Sequence, residues 1–122
     1  KLPERLIKQC KERLLERKTE ILNRVQESRK SLAATEDKRG GDEADQTMAI
    51  LQEKEALTNH ERLRTQLVEI EAALSRIEGG NYGICEETEE EIEHDRLLAI
   101  PWTRLSIEGA ELREAVSKRY AR

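Results

Sequence analysis

Few residues in this chain have the means to do chemistry. Its two thiols, Cys10 and Cys85, stand far apart in sequence, which suits reduced cysteines in a cytoplasmic protein better than a disulfide framework. Asp42 and Asp45 are three residues apart, a spacing that brings two carboxylates to neighbouring turns where a helix begins. One use there is structural: Asp42 caps free backbone amides and Asp45 complements the positive end of the helix dipole, together about 1–2 kcal/mol. The other is chemical, a pair of carboxylates offered to basic groups or to a metal-bound water of a partner. His60 has no Cys, Asp or second His arranged as its partner and reads as a polar seam or surface histidine. A metal site built from Cys85, His94 and a nearby Glu is the minor reading, since it supplies few ligands. The acidic run Glu86 to Glu93 reads as a solvated face. The sequence holds no Gly-rich phosphate loop, nucleophile elbow or catalytic triad, so no enzyme is expected.

These residues need elements to position them, and hydrophobic spacing supplies them. After Pro3, the residues Ile7, Cys10, Leu14, Ile21, Val25 and Leu32 recur near the 3.5-residue repeat of a coiled coil, predicting a helix from about Pro3 to Ala34. The polar stretch from Thr35 to Gly41 ends in two glycines and predicts a hairpin tip at about 35–43. Beyond it Leu63, Leu67, Ile70, Leu74 and Ile77 keep a 4-3-4-3 rhythm, predicting a second helix from about Glu43 to Glu78. Helices of similar length joined by a short loop pair antiparallel, as a rod roughly 50 Å long at 1.5 Å per residue. Glu53 and His60 fall where the rhythm extrapolates towards the tip. Gly79-Gly80 ends the second helix. The following residues predict a small knob of irregular or short β structure packed around Tyr82, Ile84, Ile92, Leu97, Ile100, Trp102 and Leu105. A last helix from about Glu108 to Arg122 would rest Leu112, Val116 and Tyr120 against that knob.

Composition agrees with long helices and a small core. Charged residues are 39% of the chain and aromatics 2%, with no Phe, too little bulky apolar material for a thick globular interior. A net charge of -4, spread along the chain, provides no basic footprint for duplex DNA. Without an apolar run of about 18 residues or a charged-then-apolar leader, neither a membrane span nor a signal peptide is expected. The fold class expected is therefore mainly α: a long antiparallel coiled-coil hairpin over 1–78, then a knob and carboxyl-terminal helix over 79–122.

The knob carries a resemblance. Gly80-Asn81-Tyr82-Gly83-Ile84-Cys85-Glu86, then Ile92, then Arg96-Leu97-Leu98-Ala99-Ile100-Pro101 resembles the G-x-Y-G-x-C-E … I-x-x-x-R-L-x-A-x-P signature of the DksA/TraR family. Asp42-Glu43-Ala44-Asp45 is similar to that family's D-x-x-D tip, and the match runs in order along nearly the whole chain. The resemblance implies a bacterial RNA polymerase partner, a coiled coil placed in the polymerase secondary channel, and altered initiation without direct promoter contact. It assigns Asp42, Asp45 and Thr47 to the tip that meets the polymerase active centre, although the family commonly has Ala at the last of these. It assigns Arg62 and Arg96 to polymerase binding.

The departures from the family are as informative. The four zinc-ligand positions of the family read Cys85, Thr88, Ser106 and Gly109 here, and one thiolate cannot build a tetrahedral site meant for four. A zinc-finger-like knob without zinc is therefore expected, held by packing. The family's basic positions for guanosine tetraphosphate fall on Glu69, Ile100 and Ala110, and phosphates need cations or oriented amides, which puts a response through that shared site in doubt. The expectation is a cytoplasmic, monomeric, non-catalytic regulator without a cofactor. The alternatives are a Gre-like transcript cleavage factor whose acidic tip recruits magnesium, and a structural coiled-coil adaptor.

Overall fold

The computed structural model describes residues 2–37 and 43–120, with the side chains of 35–37 excepted. Four helices are present among them: α1 (Glu4–Asp37), α2 (Glu43–Gly79), α3 (His94–Ala99) and α4 (Ile107–Tyr120). The fold is mainly α, an antiparallel hairpin of α1 and α2 followed by the knob and α4. Contacts divide the chain into two compact units, one of Lys1–Glu16 with Glu69–Arg122 and one of Arg17–Val68.

The second unit pairs the distal parts of α1 and α2. Ile21 and Val25 of α1 and Leu63 of α2 are buried, the positions picked out by the coiled-coil spacing. Ser28 is also buried, and its hydroxyl lies 3.2 Å from His60 Nδ1, so His60 is a seam residue with a polar partner. Helix α1 runs to Asp37, past the Ala34 expected. Neither Gly nor Pro occurs between Ala34 and Asp37, so nothing local stops the helix there. The rest of the expected tip loop, residues 38–42, lies outside the described residues.

The first unit joins the bases of both long helices to the knob. Helix α2 ends in a Schellman cap: Asn81 N–H donates to Arg76 O at 3.1 Å, Gly80 N–H donates to Ile77 O at 3.3 Å, and Gly80 has φ +78°, the left-handed conformation glycine adopts without strain. Leu2, Leu6, Cys10 and Leu14 of the first segment, with Ile70 and Ala73 of α2, are buried alongside Tyr82, Cys85, Ile92 and Leu97. The expected β structure is limited to one isolated bridge between Ile84 and Glu91. Ile84 is 44% exposed instead of buried.

Two other expectations change. Helix α3 occupies part of the stretch read as irregular; at 6 residues it is too short for a helical period to register. Leu112, Val116 and Tyr120 are 48%, 54% and 81% exposed and do not pack on the knob. Helix α4 is instead held through its first turns. Ser106 caps it, accepting from Gly109 N–H at 3.0 Å through Oγ and from Ala110 N–H at 2.8 Å through its carbonyl. Arg113 then pairs with Glu87 at 2.7 Å.

Candidate functional site

The four positions aligned with zinc ligands do converge in the knob. Cys85 is fully buried on a loop tied back by Cys85 N–H to Glu90 O at 2.8 Å and Glu89 N–H to Cys85 O at 2.9 Å. Glu89 takes φ +61° to close that turn. Ser106 Oγ donates to Cys85 Sγ at 3.4 Å, and Gly109 lies buried against the same sulfur. Burial pushes the Cys85 thiol up, but hydrogen bonds from the hydroxyls of Ser106 and Thr88 outweigh it and bring the thiol down to about 6. Hydroxyls and a glycine do not hold zinc. Among the described residues no group of three or more His, Cys, Asp or Glu side chains is placed for a metal. A zinc ion does not fit this donor set.

The segment after α3 is held by three side chains and one backbone amide. Tyr82 OH donates to Pro101 O at 2.7 Å, and Arg76 Nη2 to Trp102 O at 3.3 Å and Thr103 O at 3.4 Å. Glu86 N–H donates to Arg104 O at 3.0 Å, and Arg96 Nε to Leu105 O at 2.8 Å. Five consecutive carbonyls, 101–105, are thus satisfied without a β-ladder, which accounts for a knob that holds together with no sheet of its own. Arg13 of α1 adds a hydrogen bond to Leu98 O. Arg76 is held below its ordinary value, first by burial and then by Arg104 nearby. Sequence reasoning missed Arg76; its one signal is an arginine beside Ile77 in the last turn of an otherwise apolar seam.

Beside this segment an open cleft is lined by Glu69, Arg96, Ile100, Trp102, Arg104 and Arg113, among others. Two of the positions where the resemblance expects nucleotide-binding cations, Glu69 and Ile100, share it; Ala110 does not line it. Its arginines are occupied by the protein's own groups. Arg104 pairs with Glu86 at 3.3 Å, Arg113 with Glu87, and Arg96 with the Leu105 carbonyl. Arg96 is thus half-buried and partly committed to the knob.

In the other unit Asp45 is exposed in the first turn of α2, while Asp42 lies outside the described residues. Thr47 turns its hydroxyl back to donate to Glu43 O at 2.9 Å. Met48, Ile50 and Leu51 follow, 57%, 60% and 52% exposed, apolar side chains that the seam rhythm did not flag because they lie off it. Arg62 is exposed on α2, beside Lys54, Glu55, Thr58 and Asn59. No helix of the described residues is long and apolar enough to cross a membrane.

Residues 80–115 match the prokaryotic dksA/traR C4-type zinc finger family. An uncharacterized protein of Aquifex aeolicus is 41% identical over 94% of this chain and 81% of its own length. The RNA polymerase-binding transcription factor DksA of Caulobacter vibrioides is 35% identical over 91% of this chain and 78% of its own. Among solved structures, the transcription factor DksA2 of Pseudomonas aeruginosa superposes with a TM-score of 0.84 at 33% identity, covering 94% of this chain and 88% of that one. With the family match over the knob and 35% identity to the Caulobacter vibrioides factor over nearly the whole chain, the protein belongs to the DksA/TraR family.

Proposed function

We propose that this chain is a cytoplasmic, non-catalytic regulator that binds bacterial RNA polymerase and sets its coiled-coil tip in the secondary channel, changing the stability of initiation complexes. The observation that carries this reading is the similarity to a polymerase-binding transcription factor over 91% of the chain. The exposed Asp45, followed by the exposed Met48, Ile50 and Leu51, supports a contact surface at the start of α2. Asp42, Asp45 and Thr47 act at the tip. Arg62, exposed, makes the main basic contact and Arg96 a secondary one, since its Nε already serves Leu105. The mechanism needs no active site, because binding energy that differs between polymerase states shifts their populations.

On this reading the protein works as a monomer, without zinc and without reading DNA sequence. With Glu69 and Ile100 in the cleft, guanosine tetraphosphate adds little through it. The experiment is open-complex lifetime on a ribosomal RNA promoter, with wild-type protein and Asp45→Asn. The wild type shortens the lifetime. The variant still binds and competes for the channel but leaves the lifetime unchanged, and its stability falls by no more than about 1 kcal/mol. A fully active variant would refute the tip assignment. Transcript cleavage in backtracked complexes, stimulated by the wild type, would favour a Gre-like factor, and absence of polymerase binding a structural adaptor.

A further inference from the structure

In a four-thiolate zinc centre the ion holds its ligands apart, with sulfurs at ~2.3 Å from the metal and so ~3.8 Å from one another. Here the ligand positions have closed up. Cys85, wholly buried, has Ser106 Oγ at 3.4 Å. Its sulfur lies over the Gly109 backbone so closely that a Cβ at that position would meet it inside 3.0 Å, a separation Cβ atoms essentially never show. Ser106 Oγ at 3.3 Å and Glu87 Cβ at 3.5 Å wall in the rest of that space.

We propose that protein atoms have taken over the metal's place: the Cys85 sulfur is packed into the hollow left by the missing side chain of Gly109, making a closed core that excludes a divalent cation and requires glycine at 109. The contact pins the loop carrying Cys85 to the first turn of α4, the connection a shared ion would otherwise supply.

The geometry reverses an ordinary expectation. Gly109 is the third residue of α4 and its φ is not in the left-handed region. Alanine there should strengthen the helix, since glycine is the poorer helix former. With Cys85 in place the added methyl has nowhere to go, so the sign of Gly109→Ala depends on the residue at 85.

Thermal melting of wild type, Cys85→Ala, Gly109→Ala and the double variant tests this, together with absorption spectra of the wild type titrated with cobalt(II) alone. Gly109→Ala is expected to lower Tm by about 5 °C or more. The double variant is expected to melt above Cys85→Ala, because the new methyl fills the space the sulfur leaves. Cobalt(II) is expected to produce no thiolate charge-transfer band. The proposal is overturned if Gly109→Ala melts at or above wild type, if the double variant melts below Cys85→Ala, or if a cobalt–thiolate band saturates at one equivalent. Should Gly109→Ala not fold, the double variant against Cys85→Ala and the cobalt titration still decide.

Discussion

Replacing Tyr82 by Phe isolates one hydrogen bond in the knob. Tyr82 is 5% exposed, and its hydroxyl donates to Pro101 O at 2.7 Å. The ring of Phe keeps nearly all of the buried apolar area, so the transfer contribution to stability hardly changes. What is lost is a short bond to a buried carbonyl with no water to replace it, for which about 2 kcal/mol is the expected cost, within the range of about 1–3 kcal/mol for an unsatisfied buried group. At about 2.1 cal/mol/K per residue, the unfolding entropy of a 122-residue chain is about 0.26 kcal/mol/K, so Tm should fall by about 8 °C. If the knob unit melts by itself its unfolding entropy is smaller and the fall larger. Fluorescence of Trp102, the single tryptophan, reads the knob directly, because its own carbonyl is held by Arg76. Burial above all raises the phenol above its ordinary value. The hydroxyl therefore stays protonated, and the difference between variant and wild type should persist into mildly alkaline buffer. A Tm within about 2 °C of wild type would refute the claim that carbonyl satisfaction over 101–105 holds the knob, leaving ring burial as the contribution of Tyr82.

Arg76→Met keeps the buried stem but removes donors to Trp102 O and Thr103 O; these bonds are long, so a loss of about 1–2 kcal/mol is expected, with Trp102 emission shifted to the red, and unchanged melting would count against the clasp. Cys85, brought down to about 6 from 9.0, contributes stability that is fully present above the unfolded value and lost as pH falls through about 6. Tm should therefore rise between pH 6 and 9.0, a rise that Cys85→Ala abolishes and that ultraviolet thiolate absorbance tracks. Arg62→Ala should weaken competition with a Gre factor for polymerase without changing Tm. Arg96→Ala should weaken it and also lower Tm, because Leu105 O loses a donor; undiminished competition in both folded variants would remove these arginines from the binding surface.

Local pattern alone determined the long elements. Of the seam that the spacing predicted, Cys10, Leu14, Ile21, Val25, Leu63 and Ile70 are buried and Ile7, Leu32, Leu67, Leu74 and Ile77 are half-buried, because helical periodicity is a property of neighbouring turns. Gly79-Gly80 marked the end of α2, since the cap needs a left-handed residue that glycine supplies. The missing zinc ligands were legible as plain residue types: Thr88, Ser106 and Gly109 offer no thiolate wherever the fold puts them.

Tertiary structure decided what those residues do instead. A glycine in a helix reads as a weak helix former until the Cys85 sulfur is found lying over it. Arg96 reads as a surface cation until the Leu105 carbonyl appears 2.8 Å from its Nε. Helix α4 makes the limit plain. Leu112, Val116 and Tyr120 share a face by spacing, yet that face is exposed, because periodicity states which side chains point the same way and not whether anything stands opposite them. That depends on where Ser106 and Gly109 anchor the start of the helix, a matter of contacts between segments distant in sequence, such as Cys85 and Ser106, 21 residues apart.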